Sequence, residues 1–496
     1  MRPLLDPEEM AAADKAAIEA GTPVEVLMDR AGRAVARAAI DLLGGRYGKR
    51  VVVVCGKGNN AGDGYAAARV LAREGVAVGC HVLVDPSELK GAAREHYERA
   101  RAIGVVVETF ETARLHRADL IVDAIFGTGF RGTSEGAIAR AIEAVNATGI
   151  DVVAIDIPSG VEGATGAVHG PAVEAIVTVA MGAEKIGTAV GRGAALAGAV
   201  QVADIGIPVP AETMTGVVQG SDIAGWLPDV EVDSHKRSRG AVAILTGADE
   251  MTGAAALVVR GAMRAGCGYV MLGCTQRVAT IVQEACPEAI VYVVSDGDHL
   301  GPDALDAFRP ALERATAVAI GPGLGRGDDQ KKLVERVLTE IDMPLVLDAD
   351  GLNVMSTSSE VIAQRKGRLV VTPHPAELAR LVGGTTEAVG ADRLASARDA
   401  ASALDCEVLL KGYRSVVARP DGTISVIPTG GPQLATAGTG DVLTGVVAAF
   451  LADDNEHAPE IAAFLHGVAG DLSAVEGAVA WDVAEALPDA IDLVTS

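Results

Sequence analysis

The chain has 496 residues, 49% of them apolar, and carries 66 acidic against 42 basic side chains for a formal net charge of −24. That length exceeds what one hydrophobic core normally organises, so two or three domains are expected, and the apolar share excludes a disordered chain. The negative field repels phosphates, which excludes nucleic acid and anionic membranes as expected partners; a phosphate ligand has to be caught by local backbone donors.

No apolar run reaches about 18 residues without a polar break, and MRPLLDPEEMAAADK lacks the basic start and apolar centre of a leader, so a soluble, cytoplasmic protein is expected. Cys55, Cys80, Cys267, Cys274, Cys286 and Cys406 have neither CxxC nor zinc spacing and are read as buried, reduced thiols. The acid excess, the scarcity of lysine beside arginine and an aromatic content of 3% are read as adaptation to high salt, where self-repulsion is screened.

From the N-terminus, PEEMAAADKAAIEAG is an amphipathic helix started by Pro7 and the acids behind it. A strand, turn, helix rhythm follows. RVVVVCG precedes a helix from about Asp63 to Glu74, and VAVGCHVLV precedes one from about Glu88 to Ile103. DLIVDAIFG, DVVAIDIPSG, AIVTVAM and VQVADIG supply further buried strands to about residue 208. Short apolar runs separated by helical patterns mark a mostly parallel sheet. The Pro- and Gly-rich segment PVPAETMTGVVQGSDIAGWLPDVEVDSHKRSRG puts a boundary near residue 220, giving domains of 1–220 and 221–496. A second series begins with AVAILTG and a helix from about Gly253 to Ala265. YVMLGC, AIVYVVS, AVAIGPGLG, LVLDADGLN, LVVTPHPAE and VLLKG continue it, GTISVIPTG adds an antiparallel hairpin, and long helices run from Gly440. The expected fold class is α/β, with two doubly wound domains.

Ligands of open parallel sheets sit beyond the C-terminal ends of the strands. The first strand there gives GKGNNAGDG. Its Gly56, Gly58 and Gly62 are spaced GxGxxxG, one residue longer than a dinucleotide fingerprint, although Asp85 stands where a ribose-binding acid would. Asn59, Asn60, Asp63 and the strand-end Asp123 offer amide and carboxylate oxygens suited to a hard cation, so this loop is expected to hold a metal ion as well as a ligand. In GTGFRG the glycines permit close backbone approach and Arg131 can fork onto a phosphate. Asp156, ahead of the proline-fixed turn of DIPSG, occupies a position common to catalytic acids and bases and to helix caps.

Together, NNAGDG, DAIFGTGFRG and DIPSG resemble the NAD(P)H-hydrate epimerase family over about residues 1–215. The resemblance implies a Rossmann-like domain in which Asn59, Asn60, Ala61, Gly62 and Asp63 contact the damaged nucleotide, with Gly127, Thr128, Gly129, Phe130, Arg131, Gly132 and Thr133. It also implies a potassium ion bound with help from Asn60, Asp123 and Ser159, and a catalytic Asp156 that reaches the substrate. Ala61 departs from the family's glycine; at positive φ an alanine there would cost about 1 kcal/mol.

In the second half, ATAGTGDVLTG leads glycine-rich turn residues straight into an apolar helix. The amides of Gly438 to Asp441 would then point at one spot with the positive end of the helix dipole behind them. Asp441, at the edge of this anion hole, can accept a proton from a hydroxyl attacking a phosphoryl group. KGYRS follows a strand and can line an adenine nucleotide, GPGLG allows close backbone approach, and TPHPAE places His374 and Glu377 at a strand end. DADGLN offers either a water-mediated magnesium site or helix capping, and no Walker or protein-kinase motif occurs.

AGTGD with the preceding KG resembles the ribokinase-like kinases. The fuller set, from DSHKRSRGAVAILTG to AGTGD, is similar to the ADP- or ATP-dependent NAD(P)H-hydrate dehydratases over about residues 225–490. That similarity implies that Ala255, Gly323, His374 and Asp441 contact the hydrate, while Lys411, Gly412, Tyr413, Arg414, Ser415 and Gly440 contact the adenine nucleotide. His235 and Lys236 match the family's HK pair, whose role stays open, and Ser415 stands where threonine is common.

The implied function is repair of the small molecules NADHX and NADPHX. One domain would interconvert the R and S epimers with K⁺, and the other would dehydrate the S epimer with Mg²⁺ and ADP or ATP, in a homo-oligomer. The alternatives are a ribokinase-like vitamin or sugar kinase, and an N-terminal domain that is only a non-catalytic nucleotide-binding scaffold.

Overall fold

The computed structural model describes residues 1–211, 213–228 and 239–496, so the His235–Lys236 pair lies outside the described residues. The chain forms two compact units, Pro3–Thr215 and Gly216–Ser496, the latter together with Met1–Arg2.

The first unit opens with α1 (Pro7–Glu19), nucleated by a capping box in which Asp6 accepts from the Glu9 amide at 2.8 Å and Glu9 accepts from the Asp6 amide at 2.9 Å. Its sheet is built of β1 (Arg50–Cys55), β2 (Ala77–Val82), β3 (Val106–Thr109), β4 (Leu120–Ala124), β5 (Val152–Ile155), β6 (Val177–Met181) and β7 (Ala199–Ala203), the two edge strands β3 and β7 partly exposed and the central ones buried. These strands pair in parallel in the order β3-β2-β1-β4-β5-β6-β7. The apolar runs are continuous because both faces are covered. Val51, Val53 and Cys55 pack with α2 (Val24–Leu43) and α3 (Asn59–Arg73), while Val52 and Val54 pack with Ile142 and Val145 of α4 (Gly136–Asn146). The chain order reverses between β1 and β4, and a crevice at that point is where such a sheet binds its ligand.

Three local expectations change. α3 begins at Asn59 rather than about Asp63, because Gly58, extended at φ −90° and ψ −166°, lets the chain turn from β1 directly into helix. NNAGDG is therefore helical; Ala61 is fully buried in helix α3, and the cost of an alanine at positive φ does not arise. The helix expected from Glu88 starts at Gly91, after a short turn at Pro86–Glu88 capped by Asp85. β3 is short and half-exposed at the sheet edge, which hid it from a search for buried runs.

The second unit contains β8 (Ala241–Leu245), β9 (Tyr269–Thr275), β10 (Ile290–Ser295), β11 (Ala317–Ile320), β12 (Leu345–Leu347), β13 (Leu369–Val371), β14 (Glu407–Leu410), β15 (Val416–Ala418) and β16 (Ile424–Val426). They run β10-β9-β8-β11-β12-β13-β14-β15-β16, parallel as far as β14 and antiparallel through the final hairpin. Helices α5 (Thr252–Arg264) and α8 (Thr439–Ala452) touch at backbone distance: a Cβ on Gly261 would lie 2.3 Å from the Val442 carbonyl, and one on Gly445 would lie 2.1 Å from that of Val258. Between them in sequence lie α6 (Pro375–Val382) and α7 (Arg393–Leu404), and α9 (Ala458–Leu472) follows α8. Among the described residues no helix is long and apolar enough to cross a membrane, and all six cysteines are free.

Candidate active sites

In the first unit the C-terminal ends of β1, β4 and β5 open into a cavity of about 710 Å³. Asn59, Asn60 and Asp63 of α3 line it, as do Gly127 to Arg131 after β4 and Asp156 after β5. Gly58, the cap residue of α3, supplies no side-chain acceptor. The Ala61 amide donates to the Gly58 carbonyl at 3.1 Å, which leaves the amides of Asn59 and Asn60 and the positive end of the dipole for an anion. Phe126 and Phe130 stack at 4.6 Å and brace the loop that carries the exposed Arg131.

Asp156 holds φ at 70°, a strained conformation for a residue with a side chain. Its carboxylate pairs with Lys185 Nζ at 2.5 Å and accepts from the Met181 amide at 3.2 Å. Lys185 is wholly buried, and its ammonium also donates to the carbonyls of Met181 at 2.7 Å and Ala183 at 3.0 Å. Asp14 of α1 and Asp63 line the same cavity. Burial pushes the Asp63 carboxyl well above the ordinary range, the charges of Asp156 and Asp14 add to the rise, and Lys185 opposes it. Asp14 is raised for the same first reason, with Lys185 again opposing.

Asp123, at the end of β4, is buried and accepts from Ser159 Oγ at 2.6 Å, the Ser159 amide at 2.8 Å and the Ile125 amide at 3.1 Å. Burial lifts its pKa to about 6 against these hydrogen bonds. Asn60 Nδ2 donates to the Phe126 carbonyl at 2.7 Å, and the Phe126 amide donates to Ser159 Oγ at 2.8 Å. The backbone of Phe126 thus ties Asn60, Asp123 and Ser159 into one group of oxygens.

In the second unit, Asp348 after β12 pairs with Lys411 after β14 at 2.7 Å, and its other oxygen accepts from Thr444 Oγ1 of α8 at 2.6 Å. This draws Lys411 beside the start of α8, where a Cβ on Gly440 would lie 3.6 Å from its Nζ. Asp441 sits in the first turn of α8, behind Gly438 at φ 92°. Its pKa is pushed up to about 6, first by burial and then by Asp348, with Lys411 opposing. Burial works against the Lys411 charge, yet Asp348, Glu377 and Asp441 hold its pKa above the ordinary lysine value. A ring nitrogen of buried His466 on α9 meets the Thr439 carbonyl at 2.9 Å and steadies the same helix start.

His374 caps α6: its Nδ1 accepts from the amides of Ala376 at 3.1 Å and Glu377 at 3.4 Å, while Glu377 accepts from the His374 amide at 2.8 Å. Burial, followed by the charge of Lys411, lowers its pKa, so the ring is neutral near pH 7. The segment from Lys411 to Ser415 is clamped by Arg393, the first residue of α7. Its guanidinium donates to the carbonyls of Tyr413 at 2.5 Å, Arg414 at 3.1 Å and Leu410 at 3.2 Å, leaving the Tyr413 ring exposed. Gly321, at φ 129°, has room for no side chain, since a Cβ would lie 1.9 Å from the Asp348 carbonyl. Gly323, at φ 61°, fixes the next turn by accepting from the Ala248 amide at 2.6 Å.

Residues 242–491 match the family model described as NAD(P)H-hydrate dehydratase, and residues 24–187 match that of the YjeF-related protein N-terminus. The bifunctional NAD(P)H-hydrate repair enzyme Nnr of Moorella thermoacetica is 37% identical over 489 residues, covering 95% of this chain and 92% of that protein. The chain belongs to the bifunctional NAD(P)H-hydrate repair enzymes. The like-named protein of Thermofilum pendens is also 37% identical, over 93% of this chain and 90% of its own length. A ribokinase-like superfamily protein from Enterococcus faecalis, 22% identical, superposes on 58% of the chain and 99% of its own with a TM-score of 0.51, which shows a shared fold. Agreement with bifunctional relatives along the whole chain leaves the vitamin- or sugar-kinase alternative and the scaffold alternative without support.

In this repair enzyme the residues singled out by sequence gather into the two groups above, with exceptions. Gly132 and Thr133 are not among the residues lining the 710 Å³ cavity. Ala61 is fully buried, a Cβ on Gly62 would press on Met28 Sδ at 2.8 Å, and Ala255 is fully buried in α5. Asp85 caps a turn through the Ser87 amide at 2.8 Å and does not line the cavity, so the expected ribose contact is withdrawn. Lys185 went unnoticed, although Glu184 and Lys185 are the only charges in AIVTVAMGAEKIGTAV and stand just beyond Gly182 and Ala183 at the end of a strand. Arg393 gave no such signal, because it lies on a helix well ahead of the loop it clamps.

Proposed function

We propose that the first unit interconverts the R and S epimers of hydrated NAD(P)H in its 710 Å³ cavity, and that the second transfers a phosphoryl group from ADP or ATP to the C6 hydroxyl of the S epimer. The observation that carries this reading is Asp441: a carboxylate in the first turn of α8 that makes no hydrogen bond among the described residues and is held near pKa 6. Asp441 takes the hydroxyl proton as the hydroxyl oxygen attacks phosphorus and the bond to the leaving nucleotide breaks. The amides from Gly438 to Asp441, with Lys411 beside them, stabilise the charge on the group in transfer. Phosphate then departs from C6 as a proton leaves C5, which restores the dihydronicotinamide; phosphate is a far better leaving group than hydroxide.

Ala255, Gly323 and His374 lie on the hydrate side of this reading, and the segment from Lys411 to Ser415 with Gly440 on the adenine-nucleotide side. Both oxygens of Asp348 are engaged by Lys411 and Thr444, and those of Asp350 by Arg326 and the Gly325 amide. Mg²⁺ therefore enters on the nucleotide phosphates, as part of that substrate.

In the first unit the start of α3, the loop from Gly127 to Arg131 and Asp63 bind the damaged nucleotide, and Asp156 is the catalytic carboxylate. Asn60, Asp123 and Ser159 offer a carboxylate among neutral oxygens, a donor set that fits a weakly hydrated monovalent cation such as K⁺. Bound there, K⁺ would supply positive charge that ties the start of α3 to the Phe126 loop.

The test is recovery of dihydronicotinamide absorbance from a mixed R and S hydrate in KCl with Mg²⁺ and either ADP or ATP. Complete recovery supports both activities. Recovery that stops at the S fraction removes the epimerase, and none with either donor removes the dehydratase.

A further inference from the structure

Inverting C6 requires a proton delivered to one atom and a proton taken from another, so a single carboxylate cannot do both at once. The first unit's cavity presents three carboxyl groups and one wholly buried ammonium, all on its wall: Asp14 on α1, Asp63 on α3, Asp156 after β5, and Lys185. They are not equivalent. Lys185 spends its donors on Asp156 and on the carbonyls of Met181 and Ala183, at 2.5, 2.7 and 3.0 Å. Asp156 thus stands in an ion pair on a strained backbone, while Asp63, one helical turn beyond Asn60, has no basic partner among the described residues.

We infer that Asp63 is a second catalytic carboxyl, the proton donor paired with Asp156 as acceptor, and that Lys185 is the positioning residue that keeps the two in opposite charge states. This rests on the epimerase reading given above. The upward push of burial and of the charges of Asp156 and Asp14 on Asp63 agrees with the assignment. A carboxyl held in an ion pair beside one without a basic partner divides the base and acid roles between the two. Lys57 and Arg131, the other charged residues on the wall, are exposed, where solvent screens them.

The step balances as follows. Asp63 gives its proton to the C6 hydroxyl, the C–O bond breaks as the ring nitrogen lone pair forms a C6–N1 double bond, and water leaves. Water then adds to the opposite face of C6, the π electrons return to nitrogen, and Asp156 takes the released proton. One water departs and one enters and nothing is oxidised or reduced; a forward turnover leaves the proton on Asp156, which passes it back to Asp63 through solvent water before the next one, and S-to-R turnover runs the same steps backwards.

The experiment measures consumption of R-hydrate above the enzyme-free rate across pH, for the full chain carrying Asp63→Asn or Asp63→Glu, with S-hydrate dehydration measured alongside. Asp63→Asn is expected to lower kcat for R-hydrate by about 100-fold or more, a loss that exceeds any rise in KM from the missing binding contact. It should leave S-hydrate dehydration intact and abolish the alkaline limb of the kcat/KM profile, on which the donor must stay protonated. Asp63→Glu should retain that limb at a shifted position. R-hydrate turnover within about fivefold of the parent in Asp63→Asn, or residual activity that keeps the parent alkaline limb, overturns the assignment. If the Asn variant does not fold, an unshifted limb in Asp63→Glu overturns it equally. A parent enzyme that dehydrates S-hydrate but never consumes R-hydrate defeats the epimerase reading itself, an outcome separate from the two above.

Discussion

Asp441→Asn should stabilise the second unit while removing its catalysis. Asp441 ionises near 3.8 when exposed and near 6 in the folded chain. The folded state therefore holds the proton more tightly, and the stability tied to the neutral carboxyl is fully present below pH 3.8 and lost as pH rises through about 6. At 1.36 kcal/mol per pH unit, the ionised side chain costs up to about 3 kcal/mol at pH 7; its partial exposure brings the expected cost to roughly 1–3 kcal/mol. Asparagine has the same shape and no charge, so the melting temperature should rise by roughly 2–8 °C at neutral pH. The gain should shrink as pH falls toward 5, because the parent carboxyl then becomes neutral too. Thermal melts of both proteins from about pH 5 to about pH 8, run beside S-hydrate dehydration assays, measure both effects. The kcat loss expected for a missing base is about 100-fold to 10,000-fold, and the parent rate should itself fall below about pH 6 as the base protonates. A melting temperature that is unchanged at neutral pH, or raised equally at every pH, would refute the desolvated-base argument.

Asp123→Ala orphans two buried amides and leaves the Ser159 hydroxyl only the Phe126 backbone, so about 3 kcal/mol of first-unit stability should disappear, with any K⁺ stimulation of epimerisation; urea melts with and without KCl read both. Gly445→Ala forces a methyl against the Val258 carbonyl between α5 and α8, and calorimetry should show a loss of about 1–3 kcal/mol or more. Arg393→Ala frees the segment from Tyr413 to Arg414, so KM for the adenine nucleotide should rise about tenfold while R-to-S interconversion keeps its rate. The acidic composition predicts a melting temperature that climbs with KCl up to molar concentration, and a flat response would contradict adaptation to high salt.

Much of this protein was legible in its linear order. Strands buried on both faces must be apolar throughout, so RVVVVC, AVAIL and their companions announced two parallel sheets without any knowledge of which strand pairs with which. AGTGD announced a glycine-led helix start with an acid in its first turn because the residues that form it are contiguous. NNAGDG was legible as a segment at the cavity mouth but misread as a loop, since glycine and asparagine favour turns until a preceding extended glycine and close packing against α2 make the helix cheaper. What tertiary structure alone decided were relations between distant residues. Lys185 reaches Asp156 across 29 positions, Asp348 meets both Lys411 and Thr444, and Arg393 holds a loop beyond the next strand. A charge carries no mark in sequence of the partner it will meet. The burial that pushes Asp63, Asp123 and Asp441 upward exists only once the elements around them have closed.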